Sequence, residues 1–495
     1  MAGAGMAGAG ARVAGRRGWR GRCAGTTEGY DIAGPPPLPH GGAGATSARM
    51  MIRYPHGNVL LRDLGRDFPV VTYGEGVWLH DADGHRWLDG SSGAFVSSVG
   101  HGNTEVVASI AASLGKVGYV NGMQFTSEPT EALATRIVSH APAGLDKAVF
   151  LASGSESIEA AIKFARQLWY DRGELQRDVV IARTPSYHGN TLYALSISGR
   201  PHYKKVYGPL LSDVVTISAP YPYRASVDDY AGSAEHYAAE LEAAIVKAGP
   251  ERVALFVAEP IIGSSAGASV PPPGYFAAMS AVCRKYGVLT LADEVLCGVG
   301  RCGHFFASNA LGFEPDLLVF GKGIGGGYAA LAGFLAKSAH VAEMQAGSGK
   351  FMHAQTYMHA PMMTAAGIAV MDYMDTHQVV ANAHEVGEYL QRQLAERIGV
   401  LPHVGCMQGM GLLAGIELVA NTGTRAPFAR TEKVAERVTA RCFENGLLVW
   451  PNVGQADGTN GDLLMVAPPL IITREEVDEL VDRLSVALRL PWETA

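Results

Sequence analysis

The sequence predicts an α/β protein with a mainly parallel sheet in a large domain and a second, smaller α+β domain. After Gly100, short apolar runs alternate with segments of helical period. This pattern is typical of strands buried in a parallel sheet and of the helices that cover them. With 495 residues, of which 48% are hydrophobic and 18% charged, the chain is long enough for two or three domains.

Residues 1–49 differ in composition from the rest of the chain. They are rich in glycine and alanine, contain several arginines including Arg16 and Arg17, and have no apolar period. We interpret them as a disordered N-terminal extension. A twin-arginine export signal is disfavoured because no apolar segment follows, and an organelle transit peptide is a further interpretation. We favour a translation start at Met50 or Met51, or a tail without a function.

The first element predicted after this extension is a β-hairpin. Residues 78–81 and 85–89 are short strand-like segments on either side of Asp83-Gly84, a dipeptide that favours tight turns. Amphipathic helices are predicted at 155–169 and 474–488. Further strands are predicted at 148–152, 179–183, 253–258, 289–292 and 317–320. These elements indicate a large domain at 101–360 and a small domain formed by 50–100 and 361–495.

The composition argues against several classes of function. A formal net charge of −7 disfavours nucleic-acid binding, and no segment approaches the ~20 apolar residues of a membrane span. Six cysteines are too few for a disulfide framework, so we expect a reducing, cytoplasmic environment. Cys297, Cys302 and His304 are spaced unfavourably for zinc, and we predict no metal site.

Polar residues follow several predicted strands, at the edge where open α/β sheets bind ligands. After the strand at 148–152, Ser153 and Glu156 have the spacing of a helix-capping box. The same segment places Gly154 and Ser155 at the positive end of a helix, where a phosphate can bind. The residue types alone leave both interpretations open.

Charged and aromatic side chains follow the other strands. Asp293 and Glu294 come directly after a buried strand and need a cationic partner, either an arginine or a ligand. Lys322 lies between two glycines and is a phosphate contact, a surface charge or an amine nucleophile. Tyr187 is either a packing residue or an aromatic ring that stacks on a flat ligand.

A dinucleotide fingerprint is matched but disfavoured. The segment from Gly298 to Gly303 has the pattern G-x-G-x-x-G, and Asp316 lies at about the expected distance for a ribose contact. However, Asp316 opens the next predicted strand instead of closing it. The residues that follow Gly303 also lack the small apolar face of a helix that packs on a sheet. We therefore disfavour nicotinamide binding.

A phosphate site, a stacking ring, an acid and a lysine together are what a pyridoxal-phosphate site requires. The sequence resembles the class III (ω-amino acid) aminotransferases of pyridoxal-phosphate fold type I, from about residue 55 to 490. The resemblance implies a mainly parallel seven-stranded sheet in the large domain and a smaller α+β domain from both termini. The matching segments are 85–102, 150–166, 187–189, 258–260, 291–303, 315–327, 356–357 and 467–473.

The resemblance implies a role for each matching residue. Lys322 would form an aldimine with pyridoxal 5'-phosphate, and Asp293 would pair with the pyridine nitrogen. Val295 and Tyr187 would lie on opposite faces of the ring.

The remaining cofactor contacts are implied in the same way. Gly154 and Ser155 would hold the phosphate. Thr356 would reach the phosphate of the neighbouring subunit, so the site would require a homodimer. Glu259 matches a buried glutamate near the cofactor, and a structural hydrogen-bonding role is an equal alternative.

These residues predict an aminotransferase. An amino group would pass from a primary amine or ω-amino acid to a keto acid or aldehyde, through the Lys322 aldimine and pyridoxamine phosphate. A decarboxylase or aminomutase of the same fold is the alternative, because the protein selects which bond is aligned. A catalytically silent binding protein is more distant, because it has no need for a buried acid and lysine together.

Four residues are implied to face the substrate: Phe95, Met123, Phe125 and Trp450. The alternative for the first three is ordinary core packing. Trp450 stands where many ω-amine:pyruvate members carry a mobile arginine that binds a carboxylate, and tryptophan cannot make that bidentate contact.

The tryptophan has two possible consequences. Either carboxylate recognition has moved to another arginine, or one substrate presents no carboxylate there. The candidate arginines are Arg53, Arg62 and Arg425.

Overall fold

The short apolar runs of the sequence form the strands of the molecule. The computed structural model describes residues 51–53, 55–225 and 233–489, so the predicted N-terminal extension lies outside the described residues. The strands are β1 (Met51–Ile52), β2 (Phe68–Pro69), β3 (Val71–Glu75), β4 (Trp78–Asp81), β5 (Arg86–Asp89), β6 (Leu145–Leu151), β7 (Val179–Thr184), β8 (Val215–Ser218), β9 (Val253–Ala258), β10 (Leu289–Asp293), β11 (Leu317–Phe320), β12 (Ala332–Lys337), β13 (Val404–Met410), β14 (Leu413–Leu418), β15 (Leu447–Leu448), β16 (Trp450–Val453) and β17 (Asp462–Val466).

Helices occupy much of the chain between these strands. They are α1 (Ser92–Phe95), α2 (Thr104–Leu114), α3 (Glu128–Val138), α4 (Gly154–Asp171), α5 (Leu192–Ile197), α6 (Pro201–Tyr207), α7 (Ala234–Ala248), α8 (Tyr275–Tyr286), α9 (Ala307–Ala310), α10 (Ser338–Ala346), α11 (Pro361–Thr376), α12 (Val379–Arg397), α13 (Val434–Glu444) and α14 (Arg474–Leu488).

The central sheet has the order β6-β12-β11-β10-β9-β7-β8. Strand β12 is antiparallel to both of its neighbours, whereas the other pairs are parallel. The predicted mainly parallel seven-stranded sheet is therefore confirmed. The five strands predicted from the residue pattern correspond to β6, β7, β9, β10 and β11, and the pattern did not identify β8 or β12.

Two four-stranded sheets lie outside the central sheet, and one of them joins distant parts of the chain. The predicted hairpin forms β4 and β5, with Gly84 at a φ of 83° in its turn. Strand β15 extends this sheet by pairing parallel to β5, and the second small sheet has the order β13-β14-β17-β16. The described chain from residue 55 onward belongs to one compact unit, and the domain boundaries expected from the sequence stay a prediction.

Helix α4 shows how the sequence positions the ligand-binding edge of the sheet. Its N-cap is Ser153, whose hydroxyl accepts the Glu156 N–H at 3.3 Å. The apolar face of the helix is buried on the sheet, and Trp169 donates its indole N–H to the Ala254 carbonyl at 2.9 Å. These contacts fix the first turn of α4 above the carboxyl ends of the parallel strands. No helix in the described ranges has both the length and the apolar character to cross a membrane.

Replacing Gly333 by alanine tests the close contact between β12 and its neighbours. The added Cβ would lie 2.1 Å from the Val149 carbonyl oxygen and 2.7 Å from Phe320 Cζ. Because the added Cβ would clash with the backbone of β6, which cannot move easily, we expect Gly333→Ala to lower the free energy of unfolding by about 3 kcal/mol. Gly208→Ala is the control, since no atom lies within 4 Å of its Cβ position. Equal denaturant midpoints for the two variants would contradict the described packing.

Candidate active site

The ends of β10 and β11 bring an acid and an amine into one cavity. These strands are parallel neighbours, and Asp293 closes β10 while Lys322 follows β11 after one glycine. Both side chains line a cavity of about 770 Å³. The two groups therefore meet at the carboxyl ends of the strands, which is the edge where open α/β sheets bind ligands and where the sequence predicted a site.

The carboxylate of Asp293 is buried and held from two directions. One oxygen lies 2.7 Å from His188 Nδ1, and the other accepts the backbone N–H of Val295 at 3.0 Å. His188 is itself buried, and its backbone N–H donates to Ser198 Oγ at 2.9 Å. These hydrogen bonds fix the carboxylate at the cavity wall.

Lys322 combines a strained backbone with an altered amine. Its φ of 47° is in the left-handed region, which a residue with a Cβ adopts only when the surrounding structure enforces it. Burial lowers the pKa of the Lys322 amine, while the charges of Asp293 and Glu259 raise it and that of Arg200 lowers it. A lysine with a lowered pKa is available as a neutral nucleophile or base.

The start of helix α4 provides a site for an anion. The N–H groups of Gly154 and Ser155 lie in the first turn, where they have no helical partner and where the helix dipole is positive. The Ser155 hydroxyl donates to Asn190 Oδ1 and accepts the Asn190 N–H, both at 3.1 Å. A Cβ on Gly154 would lie 2.8 Å from Val295 Cγ1, so the glycine leaves the space that Val295 occupies.

Glu259 connects two loops beneath the cavity. Its carboxylate accepts the backbone N–H of Tyr187 at 3.0 Å and that of Gly263 at 2.8 Å. Burial raises the pKa of this carboxyl group, while the His188 side chain acts in the opposite direction. These contacts support the structural hydrogen-bonding role that the sequence left open, and they place the Tyr187 ring at the cavity.

Two apolar residues implied by the resemblance also line the cavity. The rings of Phe95 and Trp450 lie 5.5 Å apart and form an aromatic part of the wall. Phe95 is buried, and Trp450 begins β16.

Three implied residues are not brought to this cavity by the single chain. The side chains of Met123 and Phe125 are 87% and 64% exposed, so the expectation that they wall the pocket is not met within one subunit. They belong to the segment between α2 and α3, which lies on the surface. Thr356 is exposed as well, and its carbonyl accepts the Tyr119 hydroxyl at 2.9 Å.

The arginines around the cavity differ from those expected. Arg62 lines it, but Arg53 pairs with Asp67 at 3.9 Å on the surface, and Arg425 donates to the Tyr223 carbonyl elsewhere. Arg200, which sequence reasoning missed, also lines the cavity. The signal that could have found it is its position in the segment after β7, at the same edge of the sheet.

Comparisons with known proteins agree with this geometry. The family model described as Aminotransferase class-III matches residues 64–488. An uncharacterised aminotransferase of Schizosaccharomyces pombe is 39% identical over 420 residues, covering 84% of this chain and 92% of the relative. The putrescine–pyruvate aminotransferase of Pseudomonas aeruginosa is 33% identical over 416 residues, covering 83% of this chain and 88% of the relative.

A solved structure is similar over the same region. The (S)-enantioselective omega-transaminase from Thermomicrobium roseum has a TM-score of 0.80 and 33% identity, covering 86% of this chain and 93% of that chain.

The lowered pKa of Lys322 predicts amine reactivity at unusually low pH. In reductive methylation of the cofactor-free protein with formaldehyde and cyanoborohydride, we expect half-maximal labelling of Lys322 below pH 10.5, the ordinary lysine value. Peptide mass spectrometry at a series of pH values measures this. Asp293→Asn should move the midpoint to still lower pH, because it removes a negative charge that raises the Lys322 pKa. A midpoint at or above 10.5 would contradict the assigned environment.

Proposed function

Because this chain belongs to the class III aminotransferase family, we propose that it transfers amino groups with pyridoxal 5'-phosphate bound in the described cavity. The proposed donor is a primary amine or ω-amino acid, and the proposed acceptor is a keto acid or aldehyde. The observation that carries the proposal is the convergence of Asp293 and Lys322 at the ends of neighbouring parallel strands in one cavity.

The residues present fit this cofactor. Its phosphate needs an anion site, which the free N–H groups in the first turn of α4 offer. Its ring nitrogen needs a fixed acid, for which Asp293 is held by His188 and the Val295 N–H. When bound, pyridoxal phosphate supplies an electron sink for a substrate carbanion and carries the amino group between substrates.

Each side chain then has a task set by its position. Gly154 and Ser155 bind the phosphate, Tyr187 and Val295 enclose the ring, and Asp293 keeps the ring nitrogen protonated. Lys322 holds the cofactor and, when its amine is free, moves a proton at the substrate carbon. Its lowered pKa suits this work, since a neutral amine can accept that proton.

The second subunit completes the site in this proposal. The segment between α2 and α3 exposes several large apolar side chains. They are Val117, Tyr119, Met123 and Phe125. Exposed apolar patches are typical of protein interfaces. We propose a homodimer in which Thr356 reaches the phosphate of the neighbouring subunit.

We also propose a cytoplasmic location. The five cysteines in the described ranges are all unpaired thiols, which suits a reducing compartment.

Removing the amine tests the proposed function directly. With added pyridoxal phosphate, we expect the wild-type protein to show a visible absorption band that an amine donor bleaches. We expect Lys322→Ala to lack the band and to transfer amino groups at least about 100-fold more slowly, because its base is gone. Lys247→Ala, at an exposed position on α7, is the control. A wild-type protein without the band would refute the proposal.

Mixed dimers test the role of Thr356. We expect Thr356→Ala to weaken pyridoxal phosphate binding by about tenfold or more, because one hydrogen bond to a charged group is lost. In dimers of one Lys322→Ala and one Thr356→Ala subunit, a threonine that serves its neighbour leaves one of the two sites intact. Purified mixed dimers should therefore show native cofactor affinity and activity at half of the sites. If Thr356 served its own subunit, no intact site would remain.

A further inference from the structure

Arg200 is a buried cation at the cavity wall with no carboxylate partner among the described residues. Its side chain is 6% exposed. Nη2 donates to Ser264 Oγ at 2.6 Å, and Nη1 lies 3.4 Å from the Tyr203 hydroxyl. Its Nε has no hydrogen-bond acceptor within the part of the chain that the structure describes. Several of the five guanidinium N–H donors are thus uncommitted.

Aromatic rings hold the guanidinium in place but do not neutralise it. Its central carbon lies 5.0 Å from the Tyr187 ring centre and 5.3 Å from that of Tyr203. Such contacts offset part of the free energy of burying a charge, and a buried charge is normally paired. The nearby carboxylate of Glu259 already accepts two backbone N–H groups.

The other arginine at the cavity is in a different environment. Arg62 is exposed to water and contacts Tyr203 at 3.4 Å. Water already solvates the Arg62 guanidinium, so a carboxylate bound there contributes less binding free energy. Arg200 is already desolvated and oriented, and its planar fork matches both oxygens of a carboxylate.

We infer that Arg200 binds the carboxylate of the substrate, in place of the arginine that is absent at Trp450. This inference rests on the proposed function and names the anchor for that same site. The carboxylate belongs either to an amino-acid donor or to a keto-acid acceptor. The Phe95 and Trp450 rings, which line the same cavity, then contact apolar parts of the substrate.

Paired substrates that differ only in the carboxylate test the inference. The donor arm compares 4-aminobutanoate with butylamine, and the acceptor arm compares pyruvate with acetone. We expect Arg200→Met, which keeps the apolar stem, to reduce the preference for the carboxylated member by about 30-fold in at least one arm. The loss should appear mainly in KM. Arg200→Lys should be intermediate, since it keeps the charge without the fork.

A binding measurement makes the test independent of catalysis. We expect the Kd of propanoate for the cofactor-loaded protein, measured by calorimetry, to rise about tenfold or more in Arg200→Met. Propanamide, which has no charge, should bind both proteins with similar affinity. Arg62→Met is the matched control and should change propanoate binding less than Arg200→Met does.

Three results would overturn the inference. An equal loss for carboxylated and uncarboxylated substrates would show that Arg200 only positions Tyr187. A loss of pyridoxal phosphate affinity with an unchanged substrate preference would show that the Arg200 charge binds the cofactor and not the substrate. A larger effect of Arg62→Met on propanoate would move the anchor to Arg62. A wild-type protein that binds pyridoxal phosphate but transfers no amino group fails the proposed function, while propanoate binding still decides the role of Arg200.

Discussion

The hydrogen bond between the Asp293 carboxylate and His188 Nδ1 is the interaction on which the rest of the cavity depends. A buried carboxylate is unfavourable unless hydrogen bonds satisfy its oxygens, and here the second bond comes from the Val295 N–H. The hydrogen bond from the Val295 N–H also fixes the position of the Val295 side chain. Val295 in turn leaves space only for a glycine at 154, which brings the start of α4 close to the acid. One buried charge thus organises the loops after β6, β7 and β10.

The fold was predictable wherever burial is uniform. Strands β9 and β11 have the bounds that the sequence indicates, because all of their residues are apolar and buried. Strand β8 lies at the edge of the sheet with two of its four residues exposed, so it shows no continuous apolar run. Strand β12 begins shortly after a glycine-rich turn and runs antiparallel, so the alternation of helix and strand did not indicate it. The local sequence pattern reflects the burial of a segment. It does not predict a strand that is only partly buried, or one whose connection departs from the alternation of helix and strand.

The site was predictable to the extent that strand ends define it. Asp293 and Lys322 follow strands that lie side by side, so topology alone brings them together. Arg200 is different, because arginine is usually exposed and its burial here depends on Ser264, 64 residues further along the chain. Met123 and Phe125 show the opposite failure. An apolar residue has the same sequence signal in a pocket, in a core and on a surface that meets a second chain.

The parallel pairing of β15 with β5 has a consequence for the order in which the protein can be made. Trp87 in β5 donates its indole N–H to the Phe443 carbonyl, a partner 356 residues later in the chain. At ribosomal rates of about 5–20 residues per second, the hairpin emerges roughly 20 to 70 seconds before this partner is synthesised. Until then the edge of β5 is unpaired and open to other chains. Trp450 lies two residues after the end of β15, so the wall that contains it is among the last parts of the cavity to form.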